Sequence, residues 1–596
     1  MNQALQKIST ITLEKAAPGV AGLLSLFIVS YPIFDCDLYW HLANGRAMVA
    51  ARRIINEDVV SFTHFGKGFV NHEWLSQTLF YLLWDKLGPN WLWAFKLLLS
   101  SLVIFFIYRT VLAVGGSSWL AGLLCVLAML VGIQRYHLRP ELFTLLNMAI
   151  LGFILHTFRC RPNQIHRLWF IPFIFVVWDW LHGAILGLTF FTIFTATENF
   201  KSVIPMLGRR GTFTNFGLKK LNICFALTMV AMVINPYGLR SYGHFMVLAR
   251  GTQGADKIIE LQPMWQAIGD HIPFVLMFVW VITLIAVGIR NMDITEIVLV
   301  LVFGGGALYY NRFAGVAAIV LVPVIARHVS RALNDKRNRA PWRLSVTAMA
   351  VAGVAIILGG FNEKVIKRAA ATSPQGMYIL PSETAFGFSV NEFFTPAGSV
   401  RFIEDLGLQG NMYNNANLGG YLSYYLAPGR RIFQYNLPPI FGDTTRFVRN
   451  PRELDQWHIE YALAGSAGEL TKLFPSSQWA WVYSDYVSTL VVKRIPRHQP
   501  LIDKYEIQFF SPEQSLVDYQ ALMRDSDSLH RFAFEMGVYL TYMEDERIAG
   551  RWEQLFSQHP DLLYHPPIRE LINKVIERND SLKAWANELG AVQGFK

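Results

Sequence analysis

The chain has 596 residues, 53% hydrophobic and 14% aromatic, with only 16% charged and a formal net charge of +10. A soluble globular chain carries roughly 25% charged residues, and a bilayer core demands long uncharged runs, so an ordinary soluble enzyme is excluded. The basic excess is not the footprint of a nucleic-acid binder either. Lys and Arg gather in short loops at 159–167, 201–220 and 327–343, which is the positive-inside bias of a multi-spanning protein.

About twenty apolar residues cross a bilayer. On that ruler spans are predicted near 17–34, 90–110, 117–134, 140–158, 168–182, 183–200, 221–235, 273–290, 294–310, 313–330 and 344–361, about eleven in all. The first lacks a small-residue cleavage site and a strongly basic leader, so it reads as a retained span and not as a signal peptide. A polar loop to about 72 follows, then an amphipathic helix at 74–87 that Gly88-Pro89 breaks. Beyond about 370 the pattern changes to short alternating stretches at 420–426, 431–435 and 479–483, with 490–492 completing a small sheet. From about 512 it becomes helical and charged, as at 571–586. The expected organisation is a polytopic α-helical membrane domain (1–365) with an outer loop (35–73), a soluble α/β domain (366–500) and a helical tail (501–596). Cys36, Cys125, Cys160 and Cys224 are scattered and show no disulfide framework or metal-finger spacing.

With the amino terminus inside, the three densest basic loops all fall inside and the chain beyond 360 lies outside. The same threading sets Asp35, Asp37, His41, His72, Glu73, Arg135, His137, Arg139, Glu141, His182, Asn235, Arg240 and Arg312 on the outer face. Ionisable residues at a membrane boundary are functional-site candidates, because lipid makes them expensive.

Asp35 and Asp37 can serve as a general base on an acceptor hydroxyl or hold a divalent cation, and either can simply cap the helix that follows. His41 lies one helical turn from Asp37, and Trp40 reads as an interface anchor. His72 and Glu73 open the amphipathic helix, where capping competes with a shared site on the same loop. Carboxylates and imidazoles at 35, 37, 41, 72 and 73 are ordinary ligands for a divalent cation, but the spacing is not diagnostic. Arg135 and Arg139, with His137 and Glu141, flank Pro140 at a helix start; two arginines there suit a phosphate or diphosphate, or snorkel to headgroups. Arg312 allows the same two readings. His182 stands in a tight turn with Asp179 as an orienting partner, and Asn235-Pro236-Tyr237-Gly238 is a span-terminating turn. The glycines at 419–420 and 442 read as turns; no nucleotide fingerprint is present.

At these residues the chain resembles bacterial multi-spanning proteins related to the GT-C superfamily of glycosyltransferases. The pattern D-x-D-L-x-W-H-L stands here as Asp35-Cys36-Asp37-Leu38-Tyr39-Trp40-His41-Leu42, the S-[FY]-T segment as Ser61-Phe62-Thr63, and the H-E-W-L block as His72-Glu73-Trp74-Leu75. Later R-P-E-L-F-T, L-H-G, N-P-Y-G-L and G-G-Y-L blocks begin at Arg139, Leu181, Asn235 and Gly419, and the similarity runs over roughly 30–490. Cys36 departs from the pattern, which more often has Pro there. The resemblance implies a transferase in a bacterial inner membrane. It would use a polyprenyl-phosphate sugar donor and an extracytoplasmic glycan, lipid or protein acceptor, with Asp35 or Asp37 as the essential acidic residue. A lipid-linked glycan flippase, or a non-catalytic component of an envelope polysaccharide system, is the alternative.

Overall fold

The computed structural model describes residues 18–33, 35–204, 213–243, 261–266, 268–288, 293–334, 395–436, 454–465, 473–485, 487–508, 531–535, 538, 566 and 569. The predicted span at 344–361, Gly442-Asp443 and nearly all of the helical tail lie outside them. The chain divides into two compact units: Met1–Asn56 with Gly68–Val390, and Glu57–Lys67 with Asn391–Lys596.

In the first unit a helix stands within every other predicted span. They are α1 (Pro18–Val29), α4 (Pro89–Ala113), α5 (Ser118–Gly132), α6 (Glu141–Cys160), α7 (Phe170–Leu181), α8 (Ile185–Val203), α9 (Asn215–Ala231), α10 (Ile272–Gly288), α11 (Ile294–Tyr309) and α12 (Ala314–Asn334). Among the described residues four helices are long and apolar enough to cross a membrane: Pro89–Ala113, Ser118–Arg135, Glu141–Cys160 and Asn311–Leu333. Of the two longest-buried extremes, Glu141–Cys160 has 89% of its apolar window buried and Pro89–Ala113 only 39%, so α6 is the axis of the bundle and α4 turns much of its surface outward.

Two further helices, α2 (Asp37–Ala51) and α3 (Trp74–Leu87), follow the first span. The α3 bounds match the sequence expectation. α2 corrects it, because the stretch read as polar loop folds as helix. Asp35 Oδ1 accepts the Asp37 N–H at 3.0 Å and satisfies a donor of the first turn, while Leu38, Tyr39, Leu42 and Met48 are buried. Trp40 is buried too, tilted against the His41 ring at 3.8 Å between centroids, and is no interface anchor. α2 and α3 cross at Gly45, where a Cβ would meet the Gln77 carbonyl and Tyr81 Cβ.

At the far ends of α6 and α8, and at the start of α11, lies a buried ion network. Lys201 Nζ donates to Glu198 at 2.6 Å and to both Asp293 oxygens at 3.1 and 3.2 Å. Arg159 also pairs with Asp293 and, at 3.4 Å, with Glu198. Asp293 caps α11 in a capping box with Glu296, and Glu296 receives Arg327 at 2.9 Å and His328 at 3.1 Å from α12.

The second unit carries a four-stranded sheet: β1 (Asn411–Asn414), β2 (Ile459–Ala464), β3 (Trp479–Ser484) and β4 (Thr489–Lys493), in the order β1-β2-β4-β3. β1 runs parallel to β2; β4 is antiparallel to β2 and β3. Tyr413, Ile459, Phe474, Trp479 and Val491 form its core, with Phe62 packed against it. The stretch 420–426, expected as strand, is helix instead: α14 (Ala416–Tyr425), after α13 (Ala397–Asp405). Asn415 caps it by accepting from Leu418 N–H at 3.1 Å, a local signal that outweighs short-range alternation. Residues 431–435 make only an isolated parallel bridge, Ile432 with Ser61.

The segment Glu57–Lys67 is held within this unit by a dense set of bonds. Asp58, fully buried, accepts from Val60 N–H at 2.8 Å, Ser61 N–H at 3.0 Å and the Tyr435 hydroxyl at 3.3 Å. Phe62 N–H donates to Ile432 O at 3.0 Å and Thr63 Oγ1 to Phe433 O at 2.6 Å.

Candidate active site

Asp35 lies in the connector between α1 and α2, Asp37 opens α2, and Arg139 stands two residues before α6. Its guanidinium grips Asp35 through Nε and through Nη2, 2.9 Å from Oδ1, and reaches Asp37 Oδ2 at 3.0 Å. Such a two-pronged grip is specific to Arg. Burial pushes the Asp35 carboxyl up, but the charge and hydrogen bonds of Arg139 override it and hold the group below the usual carboxylate range. Asp35 is thus engaged twice, as a cap and as an ion pair. The Asp37 side chain is more open, 21% exposed against 3% for Asp35.

Glu73, the N-cap of α3, forms the centre of a second group. His72 Nε2 lies 3.6 Å from it, His182 Nε2 3.7 Å and His41 Nδ1 3.8 Å. These separations exceed hydrogen-bond length. Burial pushes the Glu73 carboxyl up to about 8, a rise that Arg312 and Arg139 moderate and Asp37 and Glu141 reinforce. Burial likewise pulls the His41 imidazole down to about 3. A protonatable carboxyl poised near neutrality and set among imidazoles is suited to giving and taking a proton.

A third group joins the two remaining arginines. Glu141 Oε2 accepts Arg312 Nη2 at 3.3 Å and faces Arg135 Nη1 at 3.5 Å. Arg135 is buried; the Arg312 side chain is 35% exposed. His137 packs edge-on against Tyr31 at 5.3 Å and is half-buried, and desolvation pulls it down to about 3. The three groups are electrically one site, since Glu73 feels Asp37, Arg139, Glu141 and Arg312, and His137 feels Asp35, Arg139 and Arg135.

The structure therefore brings together Asp35, Asp37, His41, His72, Glu73, Arg135, His137, Arg139, Glu141, His182 and Arg312. Arg240 stands apart and exposed. Asn235 closes its own turn, accepting from Tyr237 N–H at 2.8 Å and Ser241 Oγ at 3.0 Å. Asp179 does not orient His182: it accepts the Tyr242 hydroxyl at 3.1 Å, and the partner of His182 Nδ1 is Thr144 Oγ1 at 2.7 Å. Asp179 sits on α7 ahead of the turn, and α6 rather than α7 faces the imidazole.

Four supporting residues escaped the sequence reading. Thr144 and Trp178 line up behind His182, with Trp178 Nε1 donating to Thr144 Oγ1 at 3.0 Å. Lys96 Nζ donates to the Tyr31 carbonyl at 2.6 Å and stands 3.6 Å over its ring; the Tyr31 hydroxyl donates to Ile133 O at 2.9 Å. Together they tie the exit of α1, four residues before Asp35, to the segment preceding Arg135. Lys96 is a cation well inside the apolar run 90–110, whose other cation, Arg109, lies at its very end, a signal available in the sequence.

Two sets of donor atoms lie within 4.8 Å of one another as metal ligands do: His72, Glu73 and His182, and Asp35, Cys36 and Asp37. In the second the carboxylates already face a cation, the Arg139 guanidinium, and the thiol is pushed well up by burial and by both carboxylates. A thiol kept protonated is a poor ligand, so that set does not fit a metal. All four cysteines are free.

No protein-family model and no curated protein matches the chain. Among solved structures it is similar to the apo oligosaccharyltransferase of Archaeoglobus fulgidus, with 12% identity over 80% of this chain and 74% of that one at a TM-score of 0.48. It is also similar to ArnT from Cupriavidus metallidurans. The form bound to undecaprenyl phosphate gives 14% identity, 81% and 98% coverage and a TM-score of 0.43; the apo form gives 15%, 82% and 98%, and 0.42. These neighbours are GT-C membrane glycosyltransferases. With TM-scores below 0.5 the match says nothing of chemistry, which has to come from the site's own residues.

Proposed function

We propose that this chain is a multi-pass membrane glycosyltransferase of GT-C type that moves a sugar from a polyprenyl-phosphate donor to an extracytoplasmic glycan, lipid or protein acceptor. About eleven spans, with the amino terminus inside, set the site on the outer face of a bacterial inner membrane. The soluble α/β domain over 366–500 and the tail over 501–596 stand on the same side.

The observation that carries this is the convergence of carboxylates from the exit of the first span with arginines and imidazoles from four other span ends. Asp37 is the general base. It is the more open of the two aspartates, and its contact with Arg139 Nη2 at 3.0 Å aims it. Asp35 is a positioning residue, committed to Arg139 and to the start of α2. Arg312, open to solvent and backed by Glu141, takes the donor phosphate together with Arg135 and stabilises the charge that develops as the sugar departs. A single displacement of this kind inverts the anomeric centre. The lipid chain of the donor lies in the bilayer.

The test is transfer from radiolabelled polyprenyl-phosphate sugars by the purified protein in lipid nanodiscs. Asp37→Asn lowers the rate at least about a hundredfold, the scale on which a positioned base acts, with unchanged melting temperature. Equal transfer by parent and variant removes Asp37 from the chemistry, and no transfer across a sugar panel overturns the transferase assignment.

A further inference from the structure

His182 is the one imidazole of the site whose proton can be located from its neighbours. Trp178 Nε1–H can only donate, and it donates to Thr144 Oγ1 at 3.0 Å. Trp178 is completely buried, and Gly187 leaves room for its ring where a Cβ would collide with it, so this donor is fixed. The same Thr144 oxygen lies 2.7 Å from His182 Nδ1. Thr144 is itself 1% exposed, and among the described residues its hydroxyl meets no other polar partner.

Only one arrangement satisfies all three groups. Thr144 accepts from Trp178 and gives its own hydroxyl proton to His182 Nδ1, which must then be the unprotonated nitrogen. Were Nδ1 protonated, Thr144 would accept twice and its O–H would be buried with no acceptor, a full desolvation penalty. A ring with a bare Nδ1 is neutral and has one proton. That proton is on Nε2, directed to the Glu73 side at 3.7 Å, which is too long for a hydrogen bond.

We propose that Trp178 and Thr144 fix His182 as the Nε2–H tautomer, so that it donates a hydrogen bond to a phosphate oxygen in the site and is closed to metal ligation. A metal ligand offers a lone pair, and Nε2 has none in this tautomer. The trio His72, Glu73 and His182 is therefore not a cation site despite its spacing. Thr144 and Trp178 are positioning residues acting through His182. The donor role rests on the transferase assignment above; the tautomer does not.

The experiment uses the full chain in nanodiscs with imidazole-15N histidine, the His182 signals being assigned by their loss in His182→Gln. In the parent, Nδ1 resonates as a bare pyridine-type nitrogen and Nε2 as a protonated one. Thr144→Val gives an average of the two tautomers and Thr144→Ser restores the parent pattern. Polyprenyl phosphate shifts the Nε2–H signal, and a matching shift with inorganic phosphate alone marks the lipid as dispensable for that contact. Co2+ titration of the parent develops no ligand-field absorption that depends on His182. In the transfer assay Thr144→Val lowers kcat at least about tenfold with KM little changed, as for loss of an aimed donor.

A protonated Nδ1 in the parent, or a Co2+ band abolished by His182→Gln, overturns the proposal. So does a Nε2–H signal that neither phosphate moves. These readings need no turnover, so the tautomer can stand while transfer fails, or fall while transfer succeeds.

Discussion

The two ends of the helical unit both bury charge, and they do it in opposite ways. At one end Lys201, Arg159, Glu198, Asp293, Glu296, Arg327 and His328 meet at bonding distance, with Lys201 alone making contacts of 2.6, 3.1 and 3.2 Å. At the other, Glu73 faces three imidazoles at 3.6 to 3.8 Å and bonds to none of them. A polar cluster joined at bonding distance rigidifies a fold, whereas one whose members stand beyond that distance has a place for something else. The first is a clamp across α6, α8, α11 and α12; the second is the candidate site.

If that contrast is sound, substitutions at the two ends separate stability from turnover. The largest effect is Lys201→Met, which leaves the buried Glu198 and Asp293 to share Arg159 as their cation and costs about 3–5 kcal/mol. Thermal unfolding in detergent should show the loss, with transfer falling only as folded protein does; an unchanged melting curve would break the comparison at its structural end. Next is Arg139→Lys, which replaces a forked grip by a point charge. Transfer should drop about a hundredfold or more for want of an aimed Asp37, with about 1–3 kcal/mol of stability lost at Asp35, both read on one preparation.

Glu73→Gln sharpens the other side. Because burial raises the Glu73 carboxyl to about 8, the folded state disfavours its ionisation, and that cost grows as pH rises from the ordinary carboxylate value to about 8. The amide cannot ionise, so the variant should melt higher than the parent at pH 9 and much like it at pH 4, while losing transfer. A variant less stable at pH 9 would mean that Glu73 is a structural anion. The smallest effect concerns Asp35, held below the carboxylate range by Arg139. Its contribution to stability is complete above the unfolded pKa and disappears as pH falls through the lower folded value. Acid titration of unfolding should therefore be shallower below about pH 4 in Asp35→Asn than in the parent.

Much of this contrast could be read in the sequence, but only one half of it. Apolar length located the helices, and ionisable residues at their ends pointed to the site, because lipid makes such placements costly. The clamp was missed for an instructive reason. Arg159, Lys201 and Arg327 were counted as loop charge setting topology, and their acidic partners are remote: Lys201 and Asp293 are 92 residues apart. Nothing local says that a basic residue after a span turns inward to meet them. Thr144 is different. It closes the R-P-E-L-F-T block and could have been noticed, yet a hydroxyl in an apolar helix ordinarily bonds its own backbone, so its turn toward His182 had no sequence mark. α2 was hidden by its polar composition, and α14 by a two-residue alternation too short to overrule an Asn cap.

The membership of Glu57–Lys67 in the second unit has a practical bearing on how the protein can be dissected. A fragment expressed from residue 395 onward lacks the segment that bonds Ile432 and Phe433, and deprives the Tyr435 hydroxyl of its acceptor on Asp58. No single cut in the gene separates two self-sufficient halves. A recombinant second unit needs this eleven-residue stretch supplied as a peptide or grafted through a linker.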